Sequence, residues 1–229
     1  MRKKLFLACA CIVFIALGCS KENIQPQNQP QNQLKSGSVY LTFDDGPCSN
    51  STTLVSKLKT AGVTATFFIW GNRISGNMTG FNAIKNAGYS IQNHSYTHSH
   101  MTGWSYSQVY NDLNQCQTAI KSQGCPAPKK LRLPYLENNS TITSAASALG
   151  LAIVQPTVYS NDWNGATTAQ IVSSVSNLQS GGNPLMHDGY TTTDNAISQI
   201  VTNLKNKGFY HYIPIPFNNN FFFKRTKIQ

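Results

Sequence analysis

From Ser38 onward the chain alternates short runs rich in β-branched and aromatic residues with longer segments of helical period, and this alternation limits the fold more than any other feature. Residues 39–43, 65–70, 89–93, 130–133, 151–154, 184–187 and 209–213 read as strands. Residues 51–61, 80–87, 107–122, 141–149, 168–178 and 191–205 read as helices, with apolar side chains three and four apart and often a glycine placed to end them. A helix between successive strands carries the chain back to the same end of the sheet, so the strands run parallel. Seven of them in one small domain predict an α/β fold, a distorted or partial (β/α) barrel of about seven parallel strands. In such a fold the functional side chains gather at the carboxyl ends of the strands.

At 229 residues there is room for one ordinary domain with a real core. Residues 1–18 have the layout of an export signal: Arg2, Lys3 and Lys4, then an apolar run from Leu5 to Leu17 that is short for a membrane span. Gly18-Cys19 follows, a small residue directly before a cysteine, and similar to the bacterial lipoprotein signal in which Cys19 becomes a lipidated N-terminus. Ala16 stands where that signal usually has Leu. The expected product is an exported protein anchored to an envelope membrane by lipid alone. Residues 19–36, with the near-repeat Gln-Pro-Gln-Asn, have almost nothing apolar to bury and read as a tether. The folded domain is expected over 37–215, and 216–229 reads as an irregular basic and aromatic tail with Phe221, Phe222 and Phe223.

The formal charge of +10 invites a nucleic-acid reading, but Lys and Arg crowd the two ends. Between Gly37 and Pro216 there are ten Lys/Arg against seven Asp/Glu, and no basic cluster longer than Lys129-Lys130, so a footprint for phosphates is missing. Of the six cysteines, Cys48, Cys116 and Cys125 fall in the folded part; Cys116 and Cys125 could pair in an oxidising compartment, or all three could stay free.

Chemistry concentrates at the predicted strand ends. Asp44 and Asp45 are expected to follow the first strand, and adjacent carboxylates repel unless a cation takes one and leaves the other as a base. An Asp-Asp-Gly sequence also occurs in ordinary turns. His94 and His98 follow a second strand at a spacing that sets both imidazoles on one side of a helical turn, as a divalent metal requires. His187 ends a third strand, whereas His100 and His211 fall outside this convergence.

Five motifs in order, Thr42-Phe43-Asp44-Asp45-Gly46-Pro47, Asn93-His94-Ser95-Tyr96-Thr97-His98, Arg132-Leu133-Pro134-Tyr135, Asp162-Trp163 and Leu185-Met186-His187, resemble those of the polysaccharide deacetylases, the NodB-homology group forming carbohydrate esterase family 4. The resemblance spans roughly residues 38–210, and the stretches 94–102 and 162–165 are similar to the acetylxylan esterase branch. It implies Asp45, His94 and His98 as ligands of one divalent metal, with zinc first and cobalt, manganese or nickel also suited to such donors. It implies Asp44 as general base, His187 as general acid, Arg132 as the tether of the base, Asp162 as the orienter of His187, and the Tyr135 N–H as oxyanion donor. Pro134, Tyr135, Trp163 and Leu185 would line the substrate site. The partner implied is an acetylated polysaccharide or oligosaccharide, met by a monomer, with no nucleic acid.

Leu136 stands where the family has Gly, Tyr159 where it has the first Asp of the fourth motif, and Pro156 where a Trp is common. These departures bear on the supporting network, since base, acid and ligands are all present. O-acetyl esters of xylan are the expected substrate. The alternatives are N-acetyl groups of chitooligosaccharides or peptidoglycan, and a carbohydrate-binding protein whose catalysis has lapsed.

Overall fold

The computed structural model describes residues 37–209 and the backbone of residues 211–212. The signal-like segment with Cys19, the tether and the tail at 216–229 lie outside the described residues. The elements in chain order are β1 (Ser38–Val39), β2 (Thr42–Gly46), α1 (Ser51–Ala61), β3 (Thr66–Ile69), α2 (Met78–Asn86), β4 (Ser90–Asn93), α3 (Tyr106–Ser122), β5 (Lys130–Leu131), α4 (Ser140–Ala148), β6 (Ala152–Ile153), β7 (Val158–Tyr159), α5 (Thr168–Val175), β8 (Pro184–His187), α6 (Thr191–Asn206) and β9 (His211–Tyr212). Seven strands form one sheet in the order β6-β5-β4-β3-β2-β8-β7, parallel throughout. This is the expected partial barrel, with two corrections of membership. The seventh strand is Val158–Tyr159, two residues behind Pro156 and too short to show a period of two. The last run expected as a strand, 209–213, contributes only His211–Tyr212, which pairs with Ser38–Val39 in a separate two-stranded sheet.

The central strands are buried on both faces, as parallel strands covered by helices must be. Thr42, Phe43 and Asp44 are all buried, as is every residue of β3. Phe43 stacks on Phe67 and Phe67 on Tyr89, and this row packs beneath Ile197, Ile200 and Leu204 of α6 and Leu54 and Leu58 of α1. A second cluster, with Val109 and Leu113 from α3, Leu131 and Leu133 beside β5, and Ile142 and Ala145 from α4, fills the other end of the sheet.

Local chemistry sets the helix ends. Ser105 and Gln108 form a reciprocal capping box at the start of α3, and Thr167 and Gln170 do the same for α5. Gly62 ends α1 at φ 68, where its N–H reaches the Leu58 and Lys59 carbonyls in a conformation that costs glycine nothing. Among the described residues no helix is long and apolar enough to cross a membrane. Cys48, Cys116 and Cys125 are all free, so the pairing of Cys116 with Cys125 does not form; Cys116 is instead buried against the Ile69 carbonyl.

Candidate active site

Asp44 and Asp45 lie inside β2, not after it as expected, and the strand register sets Asp44 beside His187 of β8. Asp45 has a φ of 67, so the chain swings there and sends the two neighbouring carboxylates to different partners. Gly46 follows where a Cβ would come 2.5 Å from Asp188 Oδ2, so no larger residue fits without displacing that side chain.

His94 and His98 flank a tight loop after β4, not a helical turn. The loop is built by side chains. Asn93 Oδ1 accepts from the Ser95 N–H at 2.8 Å while Asn93 Nδ2 donates to the Leu113 carbonyl at 2.9 Å. Ser95 Oγ accepts from the His98 N–H at 2.9 Å. Asp112, from α3, accepts from the N–H of Tyr96 at 2.8 Å, the N–H of Thr97 at 3.1 Å and the Thr97 hydroxyl at 2.7 Å. Ser95 and His98 take positive φ values of 60 and 55, and this turn brings both Nε2 atoms to one oxygen, Asp45 Oδ1, at 3.2 Å each.

That convergence can be tested as a cation site from the donors alone. His94 Nδ1 lies 2.7 Å from the Arg132 carbonyl, which can only accept, so Nδ1 carries the hydrogen and, in the neutral form a metal ligand takes, the ring turns its Nε2 lone pair to Asp45. Asp45 Oδ1 is itself a buried acceptor without a hydrogen-bond donor. Lone pairs facing one another repel unless a cation lies between them. Asp45, His94 and His98 are the one group of three such donors among the described residues, and they fit a divalent metal with open positions.

Asp44 is buried and receives Arg132 Nη1 on Oδ2 at 3.3 Å, while its Oδ1 has no partner. Arg132, with 0% exposure, is fixed from every side: Nε donates to the Val154 carbonyl at 2.9 Å, Nη2 to Asn183 Oδ1 at 2.7 Å, and the guanidinium lies 4.7 Å above the Phe68 ring. Asn183 thus holds the arginine from beside β7, where Tyr159 replaces the family's acid.

His187 Nδ1 lies 2.7 Å from Asp162 Oδ1, and Asp162 Oδ2 accepts the His187 N–H at 2.8 Å and the Thr193 hydroxyl at 2.7 Å. Burial pushes the His187 pKa down, but the bond and charge of Asp162 more than reverse this and raise it, while the same pairing overcomes burial and lowers that of Asp162. Trp163, 45% exposed, meets the His187 ring edge-on, and Leu185 lies buried two residues before it on the same face of β8.

Opposite, Pro134 is buried and Tyr135 is 53% exposed with its ring stacked 3.7 Å from His100, which pairs with Glu137 at 3.1 Å. Tyr135 and Leu136 both take positive φ values, 56 and 59, so the turn keeps its left-handed form without the family's glycine. No hydrogen-bond acceptor among the described residues takes the Tyr135 N–H. Cys48 stays a thiol, directed at Asp188 Oδ1 at 3.3 Å.

Every residue expected at the site is therefore at one end of the sheet, apart from Cys19, which lies outside the described residues. Sequence reading missed Asp112, Asn183 and Thr193, each a lone polar residue in or beside an unremarkable run and marked only by what it meets in space.

A parallel half-barrel that gathers a carboxylate with two histidines, an Asp44 held by Arg132 and a His187 held by Asp162 at its strand ends has the layout of a hydrolase. The family model for polysaccharide deacetylase matches residues 31–154, more than half of the chain, and the chain belongs to that family. It is 50% identical over 175 residues, 76% of this chain and 26% of the relative, to a bifunctional xylanase/xylan deacetylase of Cellvibrio japonicus. It is 32% identical to a peptidoglycan-N-acetylglucosamine deacetylase of Listeria monocytogenes, over 75% of this chain and 36% of that protein. The chain thus spans only about a quarter to a third of the length of these relatives. A family 4 carbohydrate esterase from Streptomyces lividans, solved in complex with acetate, superposes with a TM-score of 0.73 at 40% identity, over 76% of this chain and 90% of the other.

Proposed function

We propose that the chain is a metal-dependent hydrolase that removes O-acetyl esters from xylan-type polymers. The observation that carries this reading is the division of labour around one opening: Asp45, His94 and His98 converge, Asp44 is held by Arg132, and His187 is held by Asp162. When bound to the first three, a divalent cation would acidify a water molecule and polarise an acyl carbonyl. Asp44 keeps Oδ1 free to take the proton of the attacking water, because Arg132 engages only Oδ2. The Tyr135 N–H, without an acceptor among the described residues, is suited to the oxygen that gains charge. His187, kept protonated by Asp162, gives its Nε2 proton to the departing sugar oxygen, and Trp163 and Leu185 close the apolar side.

The ester preference rests on the xylan deacetylase relative, and an ester also releases a better leaving group than an amide. The peptidoglycan relative favours the second reading, hydrolysis of N-acetyl amides by the same groups. Specificity constants on acetylated xylo-oligosaccharides and on N-acetylglucosamine oligomers, at equal metal loading, separate them. A higher value on the amide overturns the ester assignment, and no acetate from either overturns the hydrolase reading in favour of a binding protein. The proposed setting is a membrane surface outside the cytoplasm, reached through lipid on Cys19; full-length protein that stays aqueous in detergent partitioning, unchanged by Cys19→Ser, would contradict it.

A further inference from the structure

A cavity of about 400 Å³ adjoins Asp45, and most of its lining is not used by the reaction above. Arg73, Asn77, Pro47, Asp188 and Tyr190 line it. Arg73 ends the short 3-10 turn Gly71–Arg73 that follows β3. Its guanidinium carbon lies 4.0 Å over the Trp70 ring, and one Nη1 hydrogen goes to the Asp45 carbonyl at 2.8 Å. Those contacts fix the orientation of the group while leaving most of its five N–H donors uncommitted.

No carboxylate forms an ion pair with Arg73 among the described residues. The other acid in the cleft, Asp188, is buried and already accepts from Ser51 Oγ and Cys48 Sγ. Asn77 Nδ2 donates to the Arg73 carbonyl at 3.0 Å, which leaves Asn77 Oδ1 for a ligand hydroxyl. The volume falls within the range of small-ligand sites. A planar, pre-oriented guanidinium without a counterion matches a carboxylate, and Asp188 in the same cleft disfavours anything of higher negative charge.

We propose that this cleft is a subsite for a carboxylate borne by the sugar polymer close to its acetylated unit, with Arg73 as the charge partner. The proposal rests on the deacetylase reading and gives it a substrate class, an acidic polysaccharide. Two sources supply that group, a uronic acid branch on a xylan-type chain and the lactyl ether of a muramic-type residue.

The test compares kcat/KM for each acidic oligosaccharide with that for its neutral counterpart, in the wild type and in Arg73→Gln. Acetylated xylo-oligosaccharides with and without a uronosyl branch form one pair. N-acetylglucosamine oligomers with and without muramic residues form the other. The wild type should favour the acidic member of one pair by about tenfold, less in high salt, and Arg73→Gln should bring that ratio to about one. Because the ratio cancels any loss common to both substrates, it stays informative even if the variant also disturbs Asp45. Equal rates on both members of both pairs, or a preference that survives Arg73→Gln, overturns the proposal. If neither member of either pair releases acetate, the deacetylase reading has failed on its own. Calorimetric titration of the wild type with the acidic oligosaccharides then decides the subsite: binding lost in Arg73→Gln upholds it, and absence of binding ends it.

Discussion

At the scale of single residues, the site separates its acids by environment. His187 is held above its ordinary pKa by Asp162, so the protonated ring survives to higher pH and is lost as pH rises through the raised value. Asp162→Asn removes that support and should move the alkaline limb of kcat/KM to lower pH on an alkyl ester. An activated aryl acetate, whose leaving group needs no proton, should be far less affected. An unmoved limb would rule out His187 as the acid. Asp188 is shifted in the same direction, but by burial and not by a charged partner. Burial pushes its carboxyl up to about 6, against a usual value near 3.9, so the folded state binds more protons across that interval and stability falls as pH rises through it. Ionisation of this one group should cost roughly 3 kcal/mol by pH 7–8. Asp188→Asn should therefore gain Tm relative to wild type as pH goes from 4 to 7.5, and a Tm difference that stays flat over that range would refute the buried-acid account.

At the scale of elements, the loop of His94 and His98 depends on α3 more than on its own sequence. Asp112 accepts three bonds from that loop and is itself buried, so Asp112→Ala leaves two N–H groups and a hydroxyl without a partner. The expected cost is about 2–3 kcal/mol, and metal affinity should fall roughly 10–100-fold as the imidazoles lose alignment. Ser105→Ala, which only breaks the cap of the same helix, should cost about 1 kcal/mol and leave metal affinity intact. Melting curves and competitive metal titration check both, and equal metal affinity in the two variants would deny Asp112 this role. This loop also marks the limit of what the sequence discloses. The helices were legible because apolar spacing repeats over several turns, and α1 matches its expected bounds residue for residue. The helical turn expected at His94 to His98 was not found, because a four-residue spacing carries no information about side chains arriving from α3. β7 escaped for a related reason: its two residues are held in the sheet from either side, by the Thr157 N–H on the Asn183 carbonyl and the Ser160 N–H on the Leu185 carbonyl, not by a pattern of their own. The residues proposed as base, acid and metal ligands stood out because their chemistry is rare in the chain. Their supports, Asp112, Asn183 and Thr193, are common residue types whose role appears only in three dimensions.

At the scale of the whole molecule, a site formed from β2 and the loop after β4 should couple metal binding to folding. Free metal at a hundredfold excess over Kd adds about 2.7 kcal/mol to stability, which for a domain of this size is a Tm rise of roughly 5–10 °C. Thermal scans with and without a chelator should show that rise in the wild type and none in Asp45→Ala; an equal rise in both would place the cation elsewhere. The strand order adds a consequence for biosynthesis. Strands β2 to β6 lie beside one another in the order in which they leave the ribosome, but the other edge of β2 waits for β8, and Thr42 bonds to the Pro184 carbonyl 142 residues later. The proposed cation ligands are thus complete by residue 98, whereas the proposed proton donor, His187, arrives with the last quarter of the chain. Until then the central strand has a bare edge, open to the wrong partner. On the proposed roles, a nascent chain arrested before β8 would hold the three metal donors without the group that protonates the product alcohol, so synthesis itself would leave the catalytic set unfinished until the sheet is closed.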